Sequence, residues 1–445
     1  MKNLFQKITE QDRISYVYLL KWMVCAIIAG GMGSCIVHVF LFLLHSIGIV
    51  LKAQPIPLPV WPVAGALIVG LTIYRIERHA AGEGIPSYIR GLQIRNGDLL
   101  FSVTFYKFWA ALATLATFGN GGIVGPLGRV CAGVMATIFH RLAKVTNFWT
   151  EDDRRTAAIC GMAATIGAIF HSSIGGGIFA VEIIQKAKMG YRDLFPAILS
   201  SATAVFVCKT LGWESFYRFD AVDRFMDVTL IGWLLLLAII AGGVGGVYTF
   251  FYRFVAQLFG RKEGNVLLKV VVGTVLSSAI VWLVNRELLG TSTGMVEAIF
   301  HADYQVLAGR LSPTALPVGI VLLLMLLAKV VCNFITVGSG MSAGFTGPAA
   351  IVGLLLGMIM AQMLNIEAGT ASYHAFLAAG FAAMLAGSMN IPLAAAVMTT
   401  ELFGLQYSFP AGFSAIIGFQ VMRHRTIYDY AVSGLIASDA QEDNR

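Results

Sequence analysis

Three glycine-rich segments stand immediately before or within apolar stretches of helical length. They read GEGIP at residues 82–86, GGIVGP at residues 121–126 and AGFTGP at residues 343–348. A helix that starts at such a break leaves backbone N–H groups without partners and carries roughly half an elementary positive charge at its start. None of the segments contains Lys or Arg. Several such starts converging inside a membrane would therefore bind a small, mobile anion through backbone groups.

Two pairs of motifs recur in the same order and indicate a duplicated unit. Residues 119–139 and 338–360 share a GxxGP ending followed by an apolar helix, so that Pro126 and Pro348 lie 222 positions apart. Residues 161–182 and 380–401 form the second pair, 219 positions apart. Broken helices in two repeats are typical of transporters whose halves meet at the bilayer midplane. We therefore predict an all-α multi-pass membrane protein with two inverted-topology repeats.

The composition supports a membrane location. Hydrophobic residues make up 57% of the chain and charged residues 12%, against about a quarter charged in soluble proteins. Residues 22–51 and 228–252 contain no charged side chain, and each run exceeds the roughly 20 residues that cross a bilayer. The net charge of +7 is scattered between these runs, which argues against nucleic acid as a partner. The six cysteines include no CxxC pair, so we expect no metal and no cofactor.

The charge distribution also predicts the topology. Lys and Arg near the start favour a cytoplasmic N-terminal segment at residues 1–15. We expect the first membrane repeat at residues 16–220 and the second at residues 221–430. Residues 431–445 would form a short cytoplasmic tail, with no C-terminal regulatory domain. The location predicted from these features is a prokaryotic inner (plasma) membrane.

The motifs GEGIP, GGIVGP, GIFAVE, GFTGP and IYD, in this order, resemble the signature of the CLC family of chloride channels and chloride/proton antiporters. The resemblance spans residues 82–428 and implies a homodimer with one pore in each subunit. It also implies chloride contacts from backbone groups, the central side chain and a tyrosine hydroxyl. The implied anion-binding residues are Gly82, Glu83, Gly84, Ile85, Ile123, Val124, Gly125, Phe345, Thr346 and Tyr428. Without its place in this ordered set, Tyr428 would be interpreted as an interfacial aromatic.

Two positions depart from the exchangers of the family. Where the family's gating glutamate stands in GxEGP, this chain has Val124, which cannot exchange protons. Aligning the GIFAVE segment puts Glu182 at a structural carboxylate and Ile183 at the proton-relay position. Because coupled exchange needs titratable groups, these losses predict passive anion conduction. Glu182 and Glu401 occupy matching repeat positions, and we interpret both as structural caps of broken backbone.

A third departure is Glu83, which replaces the family's central serine. Ionised, it would repel chloride, but a buried carboxyl can also stay neutral and donate a hydrogen bond. An ionised side chain could instead fill the pathway as a tethered anion, which makes Glu83 a second candidate gate beside Val124. The remaining alternative turns Glu83 away from the site to pair with Arg78 or Arg90.

Three other functions are alternatives to passive anion conduction. Serines near glycines, such as Ser339 and Ser342, superficially resemble a protease site, but no paired His accompanies them and we predict no enzyme activity. A chloride/proton antiporter or pH-gated transporter using Glu83 is the closer alternative. A channel for another anion, such as nitrate or fluoride, is the third.

Overall fold

The computed structural model describes residues 2–146, 148–184, 190–217, 226–260, 265–311 and 316–442. Within these ranges the chain is helical, and the β structure consists of a single isolated bridge between Gly122 and Gly344. The prediction of an all-α fold is confirmed. The expected boundary between the repeats, at 220/221, lies in residues 218–225, outside the described residues.

The described residues of the first half form eight α-helices. They are α1 (Lys2–Lys52), α2 (Trp61–Arg75), α3 (Ile85–Gln93), α4 (Phe101–Ala116), α5 (Val124–Val145), α6 (Asp153–Phe170), α7 (Gly175–Glu182) and α8 (Tyr191–Thr210). Helix α1 begins at Lys2, so most of the predicted N-terminal segment continues the first long helix. Short 3-10 turns at Leu58–Val60 and Arg78–Ala80 precede α2 and α3.

Ten α-helices follow in the part of the second half that the structure describes. They are α9 (Ile231–Gly260), α10 (Val266–Leu283), α11 (Thr293–Phe300), α12 (Tyr304–Ala308), α13 (Val318–Gly338), α14 (Thr346–Met363), α15 (Ala371–Met389), α16 (Pro392–Phe403), α17 (Ser408–Met422) and α18 (Asp429–Glu442). Further 3-10 turns lie at Val228–Leu230, Arg286–Leu288, Gly309–Leu311 and Leu405–Tyr407. Helix α18 begins before the predicted tail and packs against α3.

Six helical segments of the described chain are long and apolar enough to cross a membrane. They are Tyr16–Lys52, Arg192–Thr210, Val228–Gly260, Val266–Leu283, Val318–Gly338 and Thr346–Met363. Many of their large apolar side chains face outward, for example Phe42 at 63% and Phe250 at 69% exposure. In water such exposure would be costly, whereas in a bilayer it is the contact surface with lipid.

The two halves repeat the same neighbour relations. Helix α1 packs against α6 and α8, and α9 packs in the same way against α15 and α17. Helices α5 and α14 each lie against the next helix in sequence, α6 and α15 respectively. Helices α6 and α15 are buried along most of their lengths and form the centre of each half. This correspondence is the inverted repeat that the two motif pairs predict.

Glycines let the core helices approach to backbone contact. A Cβ atom at Gly353 of α14 or Gly380 of α15 would collide with the carbonyl oxygen of the other residue. Since no hydrophobic effect draws helices together in lipid, such close packing supplies the attraction through dispersion forces. The abundance of glycine, 48 residues in the chain, thus has a direct structural use here.

Two carboxylates link the repeats by capping each other's short helices. Glu182, at the end of α7, accepts hydrogen bonds from the backbone amides of Leu393 and Ala394, at 3.2 and 2.8 Å, in the first turn of α16. Glu401 of α16 in turn accepts backbone hydrogen bonds in the first turn of α7 and one from a serine hydroxyl. Its donors are Ile174 N (2.9 Å), Gly175 N (3.0 Å) and Ser172 Oγ. The capping interpretation of the matched glutamates thus agrees with their contacts.

We expect Glu401→Ala to destabilise the protein strongly, because it leaves two amides and one hydroxyl without their acceptor. Hydrogen bonds to charged groups contribute about 1.5–3 kcal/mol each, so the free energy of unfolding should fall by roughly 3 kcal/mol or more. Glu401→Gln keeps one acceptor oxygen and should cost less. The thermal unfolding midpoint of detergent-purified protein measures the effect. Glu367→Ala is the control, since Glu367 is exposed; equal midpoints for the two Ala variants would contradict the capping role.

Candidate functional site

The glycine-rich loops of the two repeats pair with each other at the centre of the molecule. Gly122 N donates to Gly344 O at 2.9 Å, and Gly344 N donates to Gly122 O at 2.7 Å. Two residues later in each repeat, α5 begins at Val124 and α14 begins at Thr346. The reciprocal bridge therefore holds two helix N-termini side by side, with the positive ends of both dipoles in one place.

A third helix start joins them from the GEGIP segment. Gly84 precedes α3 and lies so close to α5 that a Cβ atom on it would collide with the carbonyl oxygen of Gly125. Gly82 has a φ of +64°, a conformation that favours glycine. Its amide donates to the carbonyl oxygen of Gly340 in the second repeat at 3.4 Å. All three predicted helix breaks therefore converge at one place. The motif spacing alone could not establish this.

The carboxylate of Glu83 occupies the junction of these three helix starts. One oxygen, Oε2, accepts a hydrogen bond from Ile85 N at the start of α3. The other, Oε1, lies directly against Gly125, where an added Cβ would collide with it. The backbone amide of Phe345, at the start of α14, also interacts with the carboxylate. The side chain is 8% exposed and turns inward, so the alternative in which it pairs with Arg78 or Arg90 is wrong.

Lys107 of α4 supplies the nearest cationic side chain. It is 1% exposed, and its Nζ donates to the carbonyl oxygens of Ala80 (3.1 Å), Ala81 (3.2 Å) and Gly82. It also interacts electrostatically with the Glu83 carboxylate. One buried ammonium group therefore shapes the loop before α3 and offsets the negative charge that the loop carries.

Three tyrosines surround the carboxylate within electrostatic range. Tyr428, immediately before α18, is 1% exposed and interacts with Glu83 and Thr346. Tyr248 and Tyr252 of α9 also interact with Glu83. The Tyr248 hydroxyl receives a hydrogen bond from Asn333 Nδ2 at 3.2 Å, and the Tyr252 ring lies 4.4 Å from that of Phe345. The Tyr428 hydroxyl donates to Met389 Sδ and the Tyr248 hydroxyl to the carbonyl oxygen of Phe345, each at 3.5 Å.

The predicted site residues thus fall into one cluster and one separate position. Ile123 and Val124 are each 1% exposed at the start of α5, and the buried Phe345 and Thr346 stand at the start of α14. Val124, the position of the family's gate, places an apolar side chain there. Ile183 lies apart from them at the end of α7, 4% exposed within the hydrophobic core. Neither Val124 nor Ile183 can carry a proton.

Several residues of the site lie outside the motifs and were not predicted. Tyr248 and Tyr252 reach it from α9, which a sequence shows only as an apolar span. The sequence could have indicated Lys107 as a repeated position, because Lys107 and Lys329 are 222 positions apart, the same distance that separates Pro126 and Pro348. Lys329 of α13 is fully buried, and its Nζ donates to Asn120 Oδ1 (2.7 Å) and Ser292 Oγ (2.6 Å). Each repeat therefore places one buried lysine on the loops around its broken helix.

The site combines backbone N–H groups, hydroxyls and one ammonium group around a single carboxylate. Helix starts of this kind are suited to an anion, and no guanidinium is among the contacts of the Glu83 carboxyl group in the described residues. No group of three His, Cys, Asp or Glu side chains suited to a metal occurs in the part of the chain that the structure describes.

Comparison with known proteins places the chain among anion transporters. The sequence model described as voltage gated chloride channel matches residues 65–423. An uncharacterized protein of Methanocaldococcus jannaschii is 26% identical over 93% of this chain and 96% of its own length. The chloride/fluoride channel protein of Pseudomonas syringae pv. tomato is 24% identical over 92% of this chain and 86% of its own.

A solved structure shows the same fold. The crystal structure of a CLC-type fluoride/proton antiporter superposes with a TM-score of 0.75 and 19% sequence identity, covering 94% of this chain and 98% of that one. At this identity the likeness concerns the fold alone.

We expect a double-mutant cycle to detect charge coupling between Lys107 and Glu83. Lys107→Gln leaves the carboxylate without its counter-charge, whereas in a Glu83→Gln background that cost is absent. The carbonyl contacts of Lys107 are lost in both backgrounds and cancel. The coupling free energy from unfolding midpoints should be about 1 kcal/mol or more.

Lys329 provides the matched control for this cycle. It is a second buried lysine on a repeat-related helix, and its hydrogen bonds go to Asn120 and Ser292. Lys329→Gln combined with Glu83→Gln should be additive within about 0.5 kcal/mol. Additivity of the Lys107 pair as well would show that the two charges do not interact.

Proposed function

The chain belongs to the voltage gated chloride channel family, and we propose that it is a CLC-type channel that lets chloride or another small anion cross the membrane passively. The observation that carries the proposal is the position of Glu83. The Glu83 carboxyl group already lies where the starts of α3, α5 and α14 meet. A site that stabilises a tethered carboxylate has the donors to stabilise a free anion in its place.

The absence of the exchanger carboxylates supports passive flux over coupled exchange. Val124 and Ile183 are buried and apolar, and the resemblance aligns them with the two glutamates of the family's exchangers. A proton cannot pass through either side chain, and stoichiometric coupling depends on groups that bind protons. Some relatives are named as exchangers, such as the H(+)/Cl(-) exchange transporter ClcA of Citrobacter koseri. An experiment must therefore distinguish a channel from an exchanger.

In this proposal Glu83 acts as the gate. While its carboxylate is in the junction, it competes with the permeating anion for the same N–H donors. Passage requires the side chain to leave or to become neutral. Because Glu83 is itself titratable and buried in the site, the second candidate function is a chloride/proton antiporter or pH-gated anion transporter that uses this residue.

We also propose the membrane context that the resemblance implies. The protein would be a homodimer in a prokaryotic inner membrane, with residues 16–220 and 221–430 as the two repeats of each subunit and a separate pathway in each. Its relatives are channels and exchange transporters, and we propose no catalytic activity. Chloride, nitrate and fluoride are the anions to compare, because the carboxylate at the central position changes the selectivity that a serine would give.

Glu83→Gln should raise chloride flux several-fold, roughly three- to tenfold, because a neutral amide competes less strongly for the helix N-termini. The measurement is chloride efflux from liposomes containing the purified protein, with Glu367→Gln as the exposed control. If Glu83→Gln changes neither the flux nor its dependence on pH, Glu83 does not gate the pathway.

The reversal potential distinguishes the channel from the exchanger. For a channel it should follow the chloride gradient and stay unchanged when only the pH gradient is altered. A shift caused by the pH gradient alone, and abolished in Glu83→Gln, would instead establish proton coupling through this residue. The same recordings under nitrate and fluoride rank the anions.

A further inference from the structure

A large cavity lies at the end of α1, opposite the predicted cytoplasmic N-terminal segment. We call it the outer cavity; it has a volume of about 1180 Å³, and its polar and charged lining includes Lys52, Glu214, Arg286, Glu287, Thr291, Ser292 and Glu297. Its lining also includes Gly290, in the loop that precedes α11. Gly121 N donates to Gly290 O at 3.1 Å. The outer cavity therefore reaches the segment from which α5 starts.

The loop before α11 is the repeat counterpart of the loop that carries Glu83. Gly290 has a φ of +58°, close to the +64° of Gly82, and each glycine stands three residues before its helix begins. Gly290 N donates to Phe118 O at 3.0 Å, and Gly82 N donates to Gly340 O at 3.4 Å. The two acceptors are 222 positions apart, the offset of the repeats. Position 291 therefore corresponds to position 83, and it holds a threonine.

Lys329 of α13 is the cationic side chain beside this loop. It is fully buried, and its Nζ donates to Asn120 Oδ1 at 2.7 Å and to Ser292 Oγ at 2.6 Å. An ammonium group has three donors, and the third has no acceptor among the described residues. Within the same ranges the one titratable group that interacts with it is the Cys332 thiol. A buried ammonium group without a negative partner is costly.

The two repeats differ in the source of that negative partner. In the first repeat Lys107 interacts electrostatically with the Glu83 carboxylate. In the second repeat the corresponding loop position is Thr291, whose side chain is neutral. The charge of Lys329 is therefore not balanced in the way that the charge of Lys107 is.

The carboxylates that line the outer cavity do not balance Lys329 either. Glu287 pairs with Arg286 at 3.5 Å, and Glu297 is exposed. Neither of them, nor Glu214, has an electrostatic interaction with Lys329. An anion that enters from the medium is the remaining source of negative charge.

Helix α13 extends from Lys329 to the central site. Asn333 lies one turn further on, on the same face of the helix and roughly 6 Å along its axis. Its Nδ2 donates to the Tyr248 hydroxyl, which interacts with Glu83. Its Oδ1 would lie 3.5 Å from a Cβ atom added at Gly121. Lys329 therefore lies between the outer cavity and the central site.

We propose that Lys329 determines how strongly the protein draws a small anion from the outer cavity toward the central site. The entering anion provides the negative charge that the second repeat lacks. A unit charge inside a protein acts over several ångströms more strongly than it does in water, and it raises the local concentration of counter-ions. The inference rests on the proposed function only in that an anion must pass; it holds for a channel and for an exchanger alike.

The test measures chloride flux through the purified protein in liposomes as a function of chloride concentration. Lys329→Gln keeps a hydrogen-bond donor for Asn120 and Ser292 but removes the charge. We expect it to raise the half-saturating chloride concentration roughly three- to tenfold. Lys329→Arg is the matched control, because it keeps the charge, and its half-saturating concentration should stay within about twofold of the wild-type value.

A second pair of variants tests the same charge from the other side. Thr291→Glu places a carboxylate at the repeat counterpart of Glu83, where it would balance Lys329. We therefore expect it to raise the half-saturating chloride concentration as well. Thr291→Gln is its control, since the amide has nearly the same size and no charge.

Two outcomes would overturn the inference and are distinguishable from each other. If the wild-type protein carries anions but Lys329→Gln has the same half-saturating concentration as Lys329→Arg, this inference alone fails. If the wild-type protein carries no anion at all, the proposed function fails and the inference fails with it. Should Lys329→Gln not fold, equal half-saturating concentrations for Thr291→Glu and Thr291→Gln overturn the inference instead.

Discussion

A helix that starts inside a membrane exposes backbone N–H groups that water cannot reach, and the structure is organised around satisfying them. Glu182 and Glu401 each cap the first turn of the short helix in the opposite repeat. Gly122 and Gly344 exchange hydrogen bonds between the loops that precede α5 and α14. The groups that broken helices leave unpaired are therefore the same groups that join the two halves.

This arrangement brings the positive ends of several helix dipoles to one point, and Glu83 lies there. Three helix starts and the Lys107 ammonium group surround one carboxylate. Without such partners, a charged carboxylate buried here would destabilise the fold. The contacts that make the carboxylate tolerable are the contacts that an anion needs. In the proposed function this carboxylate competes with the permeating anion, and conduction depends on how easily the side chain leaves its place.

Close packing is the second requirement of this arrangement. The central loops can pair because their residues are glycines, and α14 and α15 meet at Gly353 and Gly380 with backbone in contact. Any larger side chain at these positions would separate the helices and remove the dispersion attraction on which association in lipid depends. The bilayer can cover the apolar outer surface of the helices.

The sequence alone determined the membrane location, the duplication and the three broken helices, because hydropathy, motif order and glycine position are local properties of the chain. The resemblance to the family further predicts that Glu83, Val124 and Ile183 depart from its pattern, and this stays a prediction. Only the tertiary structure decided that Glu83 turns inward, that Lys107 accompanies it, and that Tyr248 and Tyr252 complete the surroundings. These contacts join residues far apart in sequence, and their geometry depends on how the two repeats interlock. No periodicity or motif records that arrangement.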